Sequence, residues 1–466
     1  MVAAINRLCI IWGVALAVLL SGATGASAQS APHQRDARTT LERLVAFRSA
    51  AGQAQVPAMA AYIAGHLRAA GVPDTDIVTI ASGDNVALLV RITGTDASAR
   101  PIMFSAHMDV VDARPEDWQR SPFTLVEEDG YFFGRGVEDN KTGVVSLIST
   151  ITRIVRDGDR PRRTLVFAFV GDEETEQAST ILIAQHAWVR GVEYAINTDA
   201  GGGALSAEGR PLAYFVQVAE KSYASFRITA RNPGGHSSVP RSDNAIYDLA
   251  AALLHIRSYQ FPVEVNELTR SFLAASGRVE SGSIAVALTR FAADPADAEA
   301  LAEIRATPDY ANMVATTCVA TMLSAGHAEN ALPQRAEATV NCRIFPGALR
   351  DQVQAQLAQL AGPHLVVELV DDYPQGQLSP LRDDVAAAIT ASIHARYLGV
   401  PVAPSMSAGA TDALIYTNAG IPTFGTSGVF AHGSEGFAHG LNEKIRVPSF
   451  YAAVDHIHDL ALALGW

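Results

Sequence analysis

Leu165-Val166-Phe167-Ala168-Phe169-Val170-Gly171-Asp172-Glu173-Glu174 is the stretch on which the reading of this chain turns. Six consecutive apolar residues leave no polar face, as in a strand covered on both sides, and three acids follow at once. Working outward, residues 142–155 carry apolar side chains at helical spacing, while 102–105 and 86–92 read as strands. Helical patterning at 41–47 and 58–69 precedes them. On the other side, 179–186 is helical and 194–197 is again strand-like. Strands that alternate with helices predict an α/β fold with a mostly parallel sheet flanked by helices.

From about Ala219 the texture changes. A strand at 225–230, a helix at 244–256, strands at 316–323 and 336–344, a helix near 349–360 and a strand at 365–370 follow in turn. That order is the strand-helix-strand-strand-helix-strand pattern of a ferredoxin-like α+β layer. After Tyr373 the α/β pattern resumes, with helices at 383–397 and 449–464 around a strand near 422–426. The sheet domain is therefore expected to be discontinuous, residues 29–219 and 373–466, with residues 220–372 inserted.

The chain has 466 residues, 35 Lys+Arg against 48 Asp+Glu, and a net charge of −13. At about 100 to 200 residues per domain this is enough for two or three domains. A hydrophobic fraction of 48% with 18% charged residues is globular usage, which excludes disorder and coiled coil for the whole. An acidic chain with no basic run longer than Arg160, Arg162 and Arg163 is a poor partner for nucleic acid.

At the N-terminus, Arg7 precedes an apolar run from Leu8 to Leu20 and the small-residue site Ala26, Ser27, Ala28. This reads as a secretory signal cleaved near Ala28, with no stable membrane anchor in the mature protein, which is then exported to the periplasm or the medium. Cys318 and Cys342 remain in an oxidising compartment. A hairpin folded near Asn330 would bring them opposite each other as a disulfide; two buried free thiols are the alternative.

In open α/β sheets, ligands bind beyond the carboxyl ends of the strands. His107 and Asp109 follow one strand, Asp172, Glu173 and Glu174 another, and Asp199 a third. Asp139 sits in the Gly134-Arg135-Gly136-Val137-Glu138-Asp139-Asn140-Lys141 turn before a helix. Such a cluster suits two-metal hydrolysis, in which cations about 3.5 to 4 Å apart share a carboxylate. A second His is needed, and the C-terminal part offers His432 and His439. Asp109, two residues after His107, points the same way and could hold the imidazole. Adjacent Glu173 and Glu174 cannot aim alike from an extended strand end. One can bind metal while the other takes a proton from the activated water.

Taken together, His107-Met108-Asp109, Gly134-Arg135-Gly136 with Asp139 and Lys141, Asp172-Glu173-Glu174, Asp199, Gly234-Gly235-His236-Ser237-Ser238 and His439-x-x-Asn442-Glu443 resemble the co-catalytic di-zinc hydrolases. That family includes carboxypeptidase G, carboxypeptidase S, aminoacylase, succinyl-diaminopimelate desuccinylase, acetylornithine deacetylase and the carnosinase-type dipeptidases. The resemblance implies a zinc-exopeptidase-like catalytic domain and a lid that also dimerises. It implies two Zn2+ per chain, replaceable by Co2+ or Mn2+, bridged by Asp139 through a cis Asp139-Asn140 peptide. His107 and Asp199 would complete one ion, Glu174 and His439 the other, and Glu173 would be the general base. The family often has Glu where this chain has Asp199. His432 lacks a motif partner and reads as a loop histidine.

The resemblance also implies that His236 reaches into the partner subunit's site and steadies the oxyanion. Asn330 would contact the scissile carbonyl and Arg343 the substrate carboxylate, for which its planar fork is suited. Gly409 and Thr411, in Ser407-Ala408-Gly409-Ala410-Thr411-Asp412, would line the site. The expected activity is hydrolysis of an amide bond next to a free carboxylate in a small peptide or N-acyl amino acid, by a homodimeric metallocarboxypeptidase. An aminoacylase, deacylase or dipeptidase of the same family is the alternative. A metal-free, non-catalytic peptide-binding protein is a distant one, marked by loss of the base or ligands.

Overall fold

The computed structural model describes residues 31–370, 373–435 and 438–466, so the signal segment lies outside the described residues. Its centre is a mixed sheet whose middle is parallel: Leu165–Val170 beside Ile102–His107, then Ala195–Asn197, then Thr423–Gly425. Every residue of Leu165–Val170 and Ile102–His107 is buried, as a strand covered on both faces requires. Asn85–Ile92 joins one side antiparallel and carries Ile77–Ser82 at the edge.

Helices cover both faces. Lys141–Asp157, Val447–Gly465, Pro32–Val45 and Val56–Ala70 share one apolar core with Phe104, Phe167 and Phe169, while Ile183 of Ala178–Gln185 packs with Met103, Val166 and Val170 in another. Burying each such side chain contributes about 1.5–3 kcal/mol, which fixes the strand register. Ile102 lies opposite Leu165, His107 opposite Val170, Ser105 opposite Asn197 and Asn197 opposite Gly425. The acids that follow Val170 and Asn197 therefore emerge beside His107.

Several strands of this sheet escaped the sequence reading. Pro211–Glu220 pairs parallel with Val402–Ser407, and antiparallel with Gly202–Leu205. Val402–Ser407 contains Pro404 and two serines and pairs with nothing else in the sheet, an edge position where proline is tolerated.

The chain leaves this sheet at Lys221 and builds a second, antiparallel one in the order Thr317–Ala325, Arg335–Ile344, Ser222–Arg231, Leu365–Leu369. Ala245–Ser258 and Arg350–Ala361 supply Leu249 and Leu357 to a core with Phe226, Ile228, Val340 and Ile344. Cys318 pairs with Cys342 across the ladder, 4.1 Å between Cα atoms, as a disulfide.

One element is new. Glu267–Val279, Gly282–Ala293 and Ala298–Ala306 form a helical lobe around Leu273, Leu288, Phe291 and Ile304. It packs back onto the large sheet, with Phe272 against Phe215 at 5.6 Å. Its helices are short and alanine-rich, with narrow apolar stripes, so periodicity alone left this region unassigned.

Candidate metal centre and active site

The carboxyl ends of the parallel strands converge on Asp139. Its Oδ1 lies 2.9 Å from His107 Nε2 and its Oδ2 lies 3.1 Å from His439 Nε2, so one carboxylate touches both imidazoles. Asp199 approaches His107 Nε2 at 3.4 Å, and Glu174 approaches His439 Nε2 at 3.0 Å. Single donor atoms of His107, Asp139 and Glu174 lie within 4.8 Å of one another, as do those of His107, Glu173 and Asp199. His439, rather than His432, joins the cluster; His432 sits beyond Phe430–Ala431, its main-chain N–H on Glu435.

The turn that presents Asp139 is held by a buried acid. Glu443 accepts hydrogen bonds from the main-chain N–H groups of Gly136 and Glu138, both at 2.8 Å, and of Asp139 at 3.1 Å. It also accepts from Arg135 Nη1 at 2.8 Å, and Arg135 Nη2 donates to the carbonyls of His439 and Gly440. One ion pair thus ties the bridging aspartate's turn to the His439 loop. Gly136 is in the left-handed region, φ +88°, and a Cβ there would sit 2.7 Å from Val110 Cγ1. The Asp139-Asn140 peptide is cis, and Asn140 caps the following helix through Gly143 N–H.

Asp109 does a second job beside the one expected. Its main-chain carbonyl lies 3.0 Å from His107 Nδ1 and its carboxylate 3.6 Å from the same nitrogen, so both hold the imidazole. That carboxylate also accepts from Glu173 N–H at 3.1 Å and Glu174 N–H at 3.0 Å. It therefore aims the two glutamates, which diverge from a turn closed on the Asp172 carbonyl and not, as expected, from an extended strand end. Glu174 goes to His439, while the Glu173 carboxylate, among the described residues, receives the Gln177 side-chain amide at 3.1 Å.

The electrostatics fit a cation. Four carboxylates face two imidazoles, and burial pushes Asp199 up to about 7 and Glu173 up to about 10. Hydrogen bonds to Asp139 and Glu174 push His439 up to about 10. Burial opposes ionisation of Asp139, yet the two histidines hold it well below the usual carboxylate range. Imidazole nitrogens and carboxylate oxygens around excess negative charge are a donor set suited to zinc or a similar divalent ion.

The remaining expected residues lie elsewhere. His236 is exposed, bonded through Nδ1 to Ser238, and Ser237 N–H donates to the Asn330 carbonyl at 3.0 Å. His236 and Asn330 thus share one two-stranded ribbon, where Gly235–His236 pairs with Ala331–Leu332. Among the described residues neither bonds to the His107–Asp139–His439 cluster. Arg343 donates to the Ala408 carbonyl at 3.3 Å and stacks over Tyr223. Gly409 is exposed, its N–H on Ser407 Oγ.

Thr411 corrects an expectation. Its buried hydroxyl bonds inward to Glu220 at 2.5 Å and to the Asn197 amide at 3.0 Å, so it steadies the wall rather than facing a ligand. Sequence reading also gave no role to Glu443, Arg135, Asn197, Gln177 or Asp412. Glu443 carried a signal: a Gly-x-Gly turn exposes N–H groups that need an anion.

An α/β sheet whose carboxyl edge gathers histidines and acids around one shared aspartate defines a metallohydrolase. The model of Peptidase family M20/M25/M40 matches residues 103–463, and the chain belongs to that family. The N-fatty-acyl-amino acid synthase/hydrolase PM20D1 of Xenopus tropicalis is 27% identical over 369 residues, 77% of this chain and 71% of the relative. A probable carboxypeptidase S-like 2 of Dictyostelium discoideum is 25% identical over 391 residues, 81% and 74% of the two chains. The fold is similar to that of an M20 family metallo-carboxypeptidase of Sulfolobus solfataricus, with TM-score 0.67 and 17% identity over 91% of this chain and 98% of the other.

Proposed function

We propose that this chain is a two-metal hydrolase that cleaves an amide bond adjacent to a free carboxylate, acting as a carboxypeptidase on small peptides or N-acyl amino acids. The observation that carries this reading is Asp139, which reaches His107 and His439 through separate oxygens while Glu173 stands beside them bonded to neither. His107, Asp139 and Asp199 would hold one zinc ion; Asp139, Glu174 and His439 would hold the other. When bound, such a pair polarises the scissile carbonyl and makes water acidic near neutral pH. Glu173, whose ionised form the charge of bound cations would favour against the burial that raises its pKa, takes a proton from the attacking water as its oxygen bonds to the carbonyl carbon. It returns that proton to the nitrogen as the C–N bond breaks.

Arg343 would bind the substrate carboxylate through its planar guanidinium. His236 and Asn330 serve a partner's site in a homodimer, which explains their exposed ribbon. The dimer face is the outer edge of the second sheet, where Thr317–Ala325 leaves one side unpaired and Val319, Met322 and Leu323 are exposed. The Cys318–Cys342 disulfide supports export, since such bonds persist in oxidising compartments. Among the described residues no helix is long and apolar enough to cross a membrane.

A second reading, hydrolysis of N-acyl amino acids by an aminoacylase, is favoured by the activity named for the Xenopus relative. A zinc-loaded protein screened on N-acyl amino acids and small peptides separates the two, since turnover of peptides supports the carboxypeptidase and turnover confined to N-acyl amino acids supports the aminoacylase. Chelation should abolish turnover, and zinc, cobalt or manganese should restore it; turnover that survives full metal removal would sink the reading.

A further inference from the structure

Glu173 has one side-chain partner, and that partner has its own. Gln177 Nε2 donates to Glu173 Oε1 at 3.1 Å, and Gln177 Oε1 accepts from the Tyr373 hydroxyl at 2.8 Å. Both ends of the Gln177 amide are therefore committed, and an amide used in both directions has a fixed orientation. Gln177 is buried and held in the left-handed region at φ +52°, which L side chains rarely adopt, with its own N–H on the Asp172 carbonyl.

Tyr373 comes from the other side of the molecule. It lies where the chain returns from the inserted domain, and its carbonyl accepts from Arg350 Nη1 at 2.9 Å, at the start of the helix Arg350–Ala361. Its ring packs 6.2 Å from Tyr223 of the second sheet, over which Arg343 stacks at 5.0 Å. The main chain of Tyr373 is thus fastened to the inserted domain while its hydroxyl reaches the Asp172–Gln177 turn of the catalytic domain.

We propose that Gln177 and Tyr373 are positioning residues for the base, a two-bond relay that aims the Glu173 carboxylate only while the return segment of the inserted domain is seated. The inference rests on the reading of Glu173 as general base. It gives the inserted domain a direct mechanical hold on the proton-transferring group.

The test uses full-length, zinc-loaded Tyr373→Phe, Gln177→Met and the double variant with a hydrolysed N-acyl amino acid. Losing the aim of the base lowers kcat by about ten- to a hundredfold with KM little changed. The double variant should fall no further than the worse single one, because both act through one chain. Zinc affinity is the second readout. A partner of a metal ligand costs about 10–100-fold in affinity when lost, whereas partners of an unligated base leave it near wild type.

Wild-type kcat in Tyr373→Phe, additive losses, or a fall in zinc affinity matching the fall in kcat would each overturn the relay. If the wild-type protein hydrolyses nothing in the screen, the proposed function falls and the relay is still readable. In carboxyl-13C-glutamate spectra the Glu173 resonance, assigned by its loss in Glu173→Gln, moves in Tyr373→Phe if the relay exists. A resonance that stays in place overturns it.

Discussion

The carboxyl edge of the large sheet and the Gly235–His236 ribbon of the inserted domain both present residues that the family resemblance makes functional, yet they are built in opposite ways. At the sheet edge most groups are held by buried partners. Glu443 holds three N–H groups of the Asp139 turn, Asp109 holds those of Glu173 and Glu174, and Asn197 and Thr411 brace the strand end before Asp199. On the ribbon, the His236 ring bonds, among the described residues, to Ser238, and Asn330 holds Ser237 through its main chain. The first region can be organised before any ligand arrives, because its order comes from the chain itself. The second is organised locally and left open, in keeping with the proposed role of its residues at a partner's site.

The sharpest break of this contrast is Glu173→Gln. It should keep the metals and lose about a hundred- to ten-thousandfold in turnover; metal analysis beside kcat decides it, and full activity removes the proposed base. Next comes His236→Ala, expected to lower kcat by about a hundred- to a thousandfold with affinity little changed if it aids a partner's site. Wild-type rate constants in a stable monomer carrying this change would show that the ribbon serves nothing across an interface.

Glu443→Leu probes the braced region from behind. It strands the buried Arg135 guanidinium, a loss of about 3–5 kcal/mol, and frees the Asp139 turn, so denaturant unfolding and zinc titration should weaken together. Leu323→Lys is the mildest. A charge on the exposed edge strand should raise the dimer dissociation constant without altering the melting temperature of the monomer, measured by sedimentation and calorimetry.

Much of this molecule was legible before its fold was known. The run from Leu165 to Val170 can only be a doubly covered strand, and placing Asp172, Glu173 and Glu174 at its carboxyl end follows from the direction of the chain. The Cys318–Cys342 opposition also followed from the hairpin between two strand-like runs, although pairing and free thiols were both open. The helical lobe between Glu267 and Ala306 was invisible because its stripes are narrow and its packing partner, Phe215, belongs to a strand interrupted from its neighbours by the whole inserted domain. Asp109 was half legible for a related reason. Residue spacing says which way a side chain points, but not whether a main-chain carbonyl reaches the same nitrogen first.

The order of residues along the polypeptide determined which groups are available: a strand with no polar face, acids at its end, histidines far apart, an acidic and unbasic whole. Only the folded chain decided which of them meet. Asp139 touches both imidazoles because strand register, set by buried apolar side chains, carries His107 beside Val170 and because the Arg135–Glu443 pair draws the His439 loop across the same turn. Contacts between residues more than 300 positions apart depend on packing summed over the entire core, and no local pattern contains that sum.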